Sequence, residues 1–571
     1  MSATPTSSSS SSEPAAATRT AAAGAAIGIT LAGRETIVVI GDSITQQNLY
    51  TAFLETFLIG RFPAKQLTFW NLGWGGDVAP GGHGRFARDV LGLKPSTVIV
   101  NFGMNDGSYA PPNPEVTARW FQGITDLVAD IRRAGARPIL MTTNPVDERA
   151  APWLARYNET LGLFARMLAE YAASEGIALI DLFHPVLAVQ QAAQARSPSI
   201  TLAPDGVHPT AVGHLVMAAA AFSSFATPPA LGTLLITPQG ITSDGPVALS
   251  ALTVQPQAIS CALDLPYLPF WVPSEAREAL TLIALQLELN RFVLRASGWP
   301  DQANLSVRLD GVEVAVLAPA EQAAGLDLTT LEQAPWALQG QRLWAQAQQR
   351  FSLHFTAWRS LALADPPEAQ ALPSHVQLLA AMAAYLHESP TVLRQLAQPR
   401  RYHLHCEISR ELLLSVAELS PLYPFAADRP EDFATRHAPE TAPQEVLWTL
   451  ATWRKHAIDL GVHFGAPSNC VCYARIRLHA AGVSRVRLLL GSDDGLSVLL
   501  NGRRVLDRNV FRGCRLGDDA CEIALPEGES ELLLRVTQGG GGYGVAMKML
   551  LLAGARVVQV LPSSVPPAAH F

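Results

Sequence analysis

Between Arg34 and about Thr227 the chain alternates short apolar runs with longer stretches of helical period, and no other feature restricts its fold as much. The runs Thr36–Ile40, Leu67–Asn71, Thr97–Phe102, Pro138–Thr142 and Ala178–Leu182 have the length and content of strands buried on both faces. Between them, Ala118–Ala134 and Pro152–Ser174 place apolar residues at helical spacing. Strands alternating with helices of this length predict the α/β class, with a doubly wound parallel sheet covered on both faces. Such sheets bind ligands beyond the carboxyl ends of their strands. The residues that follow each run are therefore where chemistry is expected.

The first run ends in Gly41-Asp42-Ser43-Ile44, which puts a hydroxyl at a strand's carboxyl edge. Ser43 is thus a candidate nucleophile, although Gly-Asp-Ser alone is more often a turn. Three further blocks follow in order: Asn71-Leu-Gly-Trp-Gly-Gly-Asp77, Val98-Ile-Val-Asn-Phe-Gly-Met-Asn-Asp-Gly107 and Asp205-Gly-Val-His-Pro-Thr210. A nucleophilic serine needs a base, a group to orient the base, and donors for the developing oxyanion. His208 supplies the base and Asp205 the orienter. The backbone amides of Ser43 and Gly76 and the side-chain amide of Asn105 supply three donors. Each block also has a plain reading. Gly75 and Gly76 permit an unusual backbone, Asn105-Asp-Gly107 makes a good turn, and Asp205 is placed to cap a helix starting near Thr210. Their joint occurrence, each beside a predicted strand end, favours the catalytic reading. His214 lies on the following helix and reads as structural, while His83 and His184 show no partner pattern.

These four blocks resemble the SGNH hydrolases, also called the GDSL-like lipase/esterase family, over roughly residues 33 to 225. The resemblance implies Ser43 as nucleophile, Gly76 and Asn105 as oxyanion-hole residues, His208 as base and Asp205 as its orienter. One position departs from the pattern: Gly75 stands where serine is usual, so either Gly75 or Gly76 is the donor. Gly76 is favoured because it directly precedes Asp77. The implied fold is the same doubly wound sheet. The implied activity is ester hydrolysis through an acyl-enzyme, with no metal and no organic cofactor. The expected substrate is a small-molecule or carbohydrate ester carrying a short acyl group such as acetyl. Two alternatives use the same residues differently: an acyltransferase, and a non-catalytic carbohydrate-binding surface protein.

A chain of 571 residues exceeds one core. Its content of 49% hydrophobic and 16% charged residues suits a globular enzyme. The formal net charge of −7 and the lack of a long basic run argue against nucleic acid and anionic membrane surfaces as partners. A membrane span needs about 18 apolar residues, and only Ala21–Gly33 approaches this. It follows a Ser/Ala tract with a single Arg19, which lacks the basic start of a secretory signal. We therefore read 1–32 as a disordered tail, although the domain organisation favours secretion or the periplasm. The cysteines Cys470, Cys472, Cys514 and Cys521 cluster late in the chain. Disulfides there would fit secretion and free thiols the cytoplasm.

The catalytic domain is expected at 33–230, ending at Pro228-Pro229. A small β-domain with a trailing helix (Leu331–Leu363) follows at 231–365, with a hairpin at Leu309-Asp-Gly-Val312. His354, Trp358 and Arg359 of that helix fit one packing face. Residues 366–460 read as mainly helical with proline breaks, and His403-Leu-His405 lacks the partners of a metal site. The last domain, 461–562, reads as all-β. Its Gly491–Gly502 and Gly539–Gly544 segments resemble galactose-binding-like jelly-roll domains. That resemblance implies a glycan on the loops, with Tyr473, Phe511 and Tyr543 as its aromatic candidates. The plain reading makes Asp493-Asp494-Gly495 and Asn501-Gly502 turns.

Overall fold

The computed structural model describes residues 28–300, 303–363, 372–425, 435–454, 456–465 and 467–562. The predicted tail lies outside these residues as far as position 27. The described chain forms two units. The first holds the residues up to Ala230 together with Tyr267–Arg291 and Trp336–Pro399; the second holds Leu231–Pro266, Phe292–Pro335 and the chain from Arg400 onward.

The first unit is built on five strands: β1 (Arg34–Gly41), β2 (Gln66–Gly73), β3 (Thr97–Asn101), β4 (Arg137–Met141) and β5 (Ala178–Ile180). All pairings are parallel and the spatial order is β2-β1-β3-β4-β5, the doubly wound arrangement. Burial explains the apolar runs: every residue of β3 is buried, as are five of the last six residues of β1. Seven helices follow from the same sequence logic: α1 (Ser43–Gln46), α2 (Leu49–Arg61), α3 (Ala79–Asp89), α4 (Pro114–Arg133), α5 (Tyr157–Glu175), α6 (Phe183–Arg196) and α7 (Ala211–Phe222). In α4, the Asn113 side chain accepts from the amides of Glu115 and Val116, and Pro114 occupies the first turn. Its stripe of Trp120, Ile124, Leu127, Val128 and Ile131 is buried.

A helix at Pro335–Phe355, continued in π-helical form through Thr356–Ala362, belongs to this unit from Trp336 onward. Its Arg350 is buried. The guanidinium pairs with Glu55 of α2 at 3.4 Å, donates to the Phe69 carbonyl of edge strand β2, and lies 4.2 Å from the centre of the Trp70 ring.

In the second unit the Leu309–Val312 hairpin forms, with Asp310 and Gly311 both at positive φ. It joins a five-stranded antiparallel sheet through strand Arg401–Ile408. The predicted mainly helical stretch at 366–460 is helical at Pro373–Ala397, which belongs to the first unit, but from Arg401 the described residues of the second are mostly strands and turns. The reason is period two rather than 3.6: Tyr402, Leu404 and Cys406 are buried while Arg401 and His403 are exposed. Beyond them, a five-stranded and an eight-stranded antiparallel sheet enclose one core as a β-sandwich. Val486, Leu488 and Leu490 enter that core from one sheet, and Ile476, Leu478 and Leu534 from the other.

Two of the aromatic candidates are buried. The Tyr473 hydroxyl donates to Glu440 at 2.6 Å and that of Tyr543 to the Val536 carbonyl at 2.9 Å, whereas Phe511 is 81% exposed. Asn501 and Gly502 form a turn with both residues at positive φ. Asp494 holds its loop by accepting from the amides of Arg512 and Gly539. All six cysteines are free thiols. No helix among the described residues is long and apolar enough to cross a membrane.

Candidate active site

Strand register brings three of the four sequence blocks to one edge. Gly41 at the end of β1 lies beside Gly73 of β2 and Asn101 of β3, so the three strands end level. The winding direction reverses between β1 and β3, which is where doubly wound sheets open a crevice. Ser43 leaves β1 as the first residue of α1, and Asp42 caps that helix by accepting from the Ile44 amide at 2.9 Å. Only glycine fits at 41: a Cβ there would lie 2.3 Å from Thr45 Oγ1 and 2.7 Å from the Asn101 carbonyl. The sharp strand-to-helix turn therefore requires the glycine before Asp-Ser.

The fourth block comes from the loop before α7. His208 Nε2 is 2.9 Å from Ser43 Oγ, and His208 Nδ1 is 2.7 Å from Asp205 Oδ2. With the Nδ1 proton donated to the carboxylate, Nε2 is the acceptor for the serine hydroxyl. Asp205 Oδ1 also accepts from the amides of Val207 and His208, at 2.9 and 2.7 Å. Partial burial opposes ionisation, yet the hydrogen bonds from His208 and Val207 hold Asp205 below the usual carboxylate range. The cap of α7 is Thr210, which accepts from Gly213, so Asp205 remains committed to His208.

The two loop glycines differ in what their amides meet. The Gly75 amide donates to Gln46 Oε1 at 2.7 Å, whereas the Gly76 amide has no hydrogen-bond partner among the described residues. Gly76 sits at φ 75°, a left-handed conformation that favours glycine. Asn105 is held at both ends of its amide. Nδ2 donates to the Asp77 carbonyl at 2.9 Å, and Oδ1 accepts from the Tyr109 hydroxyl at 2.6 Å. One Nδ2 hydrogen therefore remains available. Ser43 occupies the first turn of its helix, where backbone amides lack intrahelical acceptors.

His214 is not part of this relay. It is buried, accepts at Nδ1 from the Tyr50 amide at 3.3 Å and lies 3.0 Å from Gln47 Oε1 through Nε2. Burial pushes its pKa down to about 3, so it is neutral. His83 and His184 do have carboxylate partners, Asp130 at 3.2 Å and Asp181 at 2.8 Å. Asp181-x-x-His184 repeats the local geometry of Asp205-x-x-His208, with no serine contact to His184 among the described residues. His354 is buried against Trp70, and Arg359 lies 3.4 Å over the ring of Trp74, the residue before Gly75. Sequence reasoning missed Tyr109. The one available signal was its position four residues after Asn105 in the same loop.

Residues 39–216 match the model of the GDSL-like lipase/acylhydrolase family. The chain is also 29% identical over 124 residues to the uncharacterized lipoprotein YqeF of Bacillus subtilis strain 168. That match takes in 20% of this chain and 51% of YqeF, so the chain spans about half the length of the curated relative it matches. Among solved structures, BT4096, described as a gut microbial diltiazem-metabolizing enzyme, has a TM-score of 0.58 at 20% identity, covering 67% of this chain and 100% of its own. That likeness establishes a shared fold. Axe2, an acetylxylan esterase from Geobacillus stearothermophilus, has a TM-score of 0.28 at 22% identity, covering 34% of this chain and 94% of its own.

Two buried carboxylates next to site residues, Asp42 beside Ser43 and Asp106 beside Asn105, contribute a pH response. Burial raises Asp42 and Asp106 to about 7, reinforced at Asp42 by the charges of Asp106 and Asp77 and at Asp106 by that of Asp77. Asp106 accepts from the Ala79 amide through Oδ1 at 2.8 Å, while its buried Oδ2 has no hydrogen-bond partner among the described residues. Folded-state values above the unfolded ones mean that the folded protein holds extra protons. The stability these two carboxylates contribute is fully present below about pH 4 and is lost as pH rises towards about 7. Buried neutral His214 and His354 act in the opposite sense up to about pH 6.5, so the readout is a comparison of variants: the urea midpoint of Asp106→Asn is expected to rise relative to wild type between pH 5 and pH 7.5. A difference between the two proteins that stays constant over this interval contradicts the assignment.

Proposed function

We propose that this protein is a carboxylic ester hydrolase that works through an acyl-enzyme on Ser43. The carrying observation is the unbroken relay from Ser43 Oγ to His208 Nε2 at 2.9 Å and from His208 Nδ1 to Asp205 at 2.7 Å. In this reading His208 takes the serine proton as Oγ attacks the ester carbonyl, and Asp205 fixes the tautomer and stabilises the imidazolium. The amides of Ser43 and Gly76 and the free Nδ2 hydrogen of Asn105 meet the oxyanion. Collapse of the tetrahedral adduct leaves the acyl group on Ser43, and His208 returns the proton to the departing alcohol. Water, deprotonated by His208, then repeats the attack and releases the acid.

The preferred substrate carries a short acyl group, such as acetyl, on a carbohydrate. The Asp205 and His208 side chains keep 55% and 39% of their surface exposed. An open, polar rim suits a sugar alcohol better than a long acyl chain, which needs an apolar enclosure. The jelly-roll-like segments Gly491–Gly502 and Gly539–Gly544 also support a glycan context. Glycan contact through that part of the chain would rest on Phe511, because Tyr473 and Tyr543 are buried. Comparing acetylated xylooligosaccharides with long-chain esters tests the substrate; faster hydrolysis of the long chains overturns it.

The oxyanion assignment is tested at Asn105. Loss of one such donor costs about 100- to 1000-fold in turnover, so Asn105→Ala should lower kcat by that range with KM nearly unchanged. Tyr109→Phe removes only the hydroxyl that orients the amide. It should lower kcat by about tenfold, the worth of one neutral hydrogen bond. Unchanged kcat in Asn105→Ala would remove Asn105 from the site.

A further inference from the structure

The active-site rim carries an aromatic residue that the hydrolytic steps do not use. Of the eleven tryptophans, Trp153 is the exposed one, with 62% of its surface accessible. Its exposure does not come from a loosely held segment. Trp153 lies in a short 3-10 turn, Pro152–Leu154, whose flanking Ala151 and Leu154 are buried. The same segment is tied to the Asp205–His208 loop. The Asp147 amide donates to the Gly206 carbonyl at 2.8 Å, and a Cβ at Gly206 would lie 2.6 Å from both the Ala151 and Leu154 side chains. On its other side the indole meets Tyr109 edge to face, with ring centres 5.4 Å apart and planes at 64°. The Tyr109 hydroxyl is the one that holds Asn105. One exposed indole is therefore fixed both to the loop that carries the base and to the side chain that orients the oxyanion donor.

We propose that Trp153, with Tyr109 as its side wall, is the stacking platform for a sugar ring of the substrate's alcohol portion. This deepens the ester-hydrolase reading and rests on it. A pyranose has an apolar C–H face and a polar rim of hydroxyls. It gains from burying an exposed indole face while its edge stays wet. The exposure matches that division, since the indole is open to solvent and the exposed Arg149 and Arg156 lie close to the turn along the chain. An aryl alcohol, apolar on both faces and at its edge, would call for an enclosed slot instead.

The test compares wild type, Trp153→Ala and Trp153→Phe on acetylated xylooligosaccharides, ethyl acetate and phenyl acetate. Trp153→Ala should raise KM for the oligosaccharide about tenfold, leave its kcat unchanged and leave ethyl acetate hydrolysis unaltered. Trp153→Phe should recover most of the affinity. An equal loss on ethyl acetate means that Trp153 supports the loop and overturns the proposal. A raised KM for phenyl acetate alone overturns the sugar assignment. Calorimetric titration of Ser43→Ala protein with xylooligosaccharides, with and without Trp153→Ala, reads the platform independently of chemistry. Trp153-dependent binding by a protein that hydrolyses no ester would defeat the hydrolase reading alone, whereas hydrolysis of sugar esters without Trp153-dependent affinity would defeat the platform alone.

Discussion

Ser43→Ala and His208→Ala are each expected to lower kcat for an acetyl ester by about 10⁶, and the double variant to fall no further. The two groups act as one unit. Without the hydroxyl there is nothing for Nε2 to deprotonate, and without Nε2 the hydroxyl is not activated across its 2.9 Å contact. A residual rate of about 10³–10⁴ over water should survive, because the oxyanion donors remain. Thermal unfolding of Ser43→Ala should match wild type, since the substitution removes one oxygen from a half-buried side chain. Losses in the two single variants that multiply in the double variant would mean that Ser43 and His208 act separately.

The largest expected effect on stability is at Arg350. Its side chain is 4% exposed and its partner Glu55 is 9% exposed. Burial disfavours both charges, pushing Glu55 up and Arg350 down, and their mutual attraction only partly offsets this. Arg350→Ala leaves the Glu55 carboxylate buried without its cation and frees the Phe69 carbonyl on edge strand β2. Breaking such a pair from one side costs about 3–5 kcal/mol. Adding Glu55→Gln to an Arg350→Met variant should recover much of that loss, because a buried pair replaced by neutral groups is often close to neutral overall. Urea unfolding of the full chain checks both. A loss under about 1 kcal/mol in Arg350→Ala would show that the helix at Pro335–Phe355 is not clamped through this residue.

The α/β core was legible because its strands are buried on both faces. Thr36–Ile40 sits inside the observed Arg34–Gly41, and Thr97–Phe102 overruns the observed strand by one residue. Helix α4 starts four residues before its apolar periodicity does, since Asn113 and Pro114 set its start by capping. The site residues were legible as blocks, but not their long-range partners. Gly76 is separated from Gly75 by the Gln46 side chain, a bond spanning 29 positions. No pattern announces it. Tyr109 acts through a side-chain contact within a loop, and Trp153 is a lone tryptophan whose role rests on exposure and neighbours. Past Arg400, proline spacing masked a period-two burial pattern. Likewise nothing linear marks that Tyr267–Arg291 and Trp336–Pro399 return to the α/β unit, because residues such as Arg350 make their contacts some 300 positions away.

The central claim is that Ser43 becomes covalently acylated with His208 as its base. Labelling the full-length protein with a serine-reactive fluorophosphonate, followed by peptide mass spectrometry, tests it most directly. One adduct is expected on the peptide containing Ser43, matched by loss of esterase activity, absent in Ser43→Ala and greatly slowed in His208→Ala. Inactivation with the adduct on another residue, or an ester-hydrolysing protein that the probe labels nowhere, would contradict it.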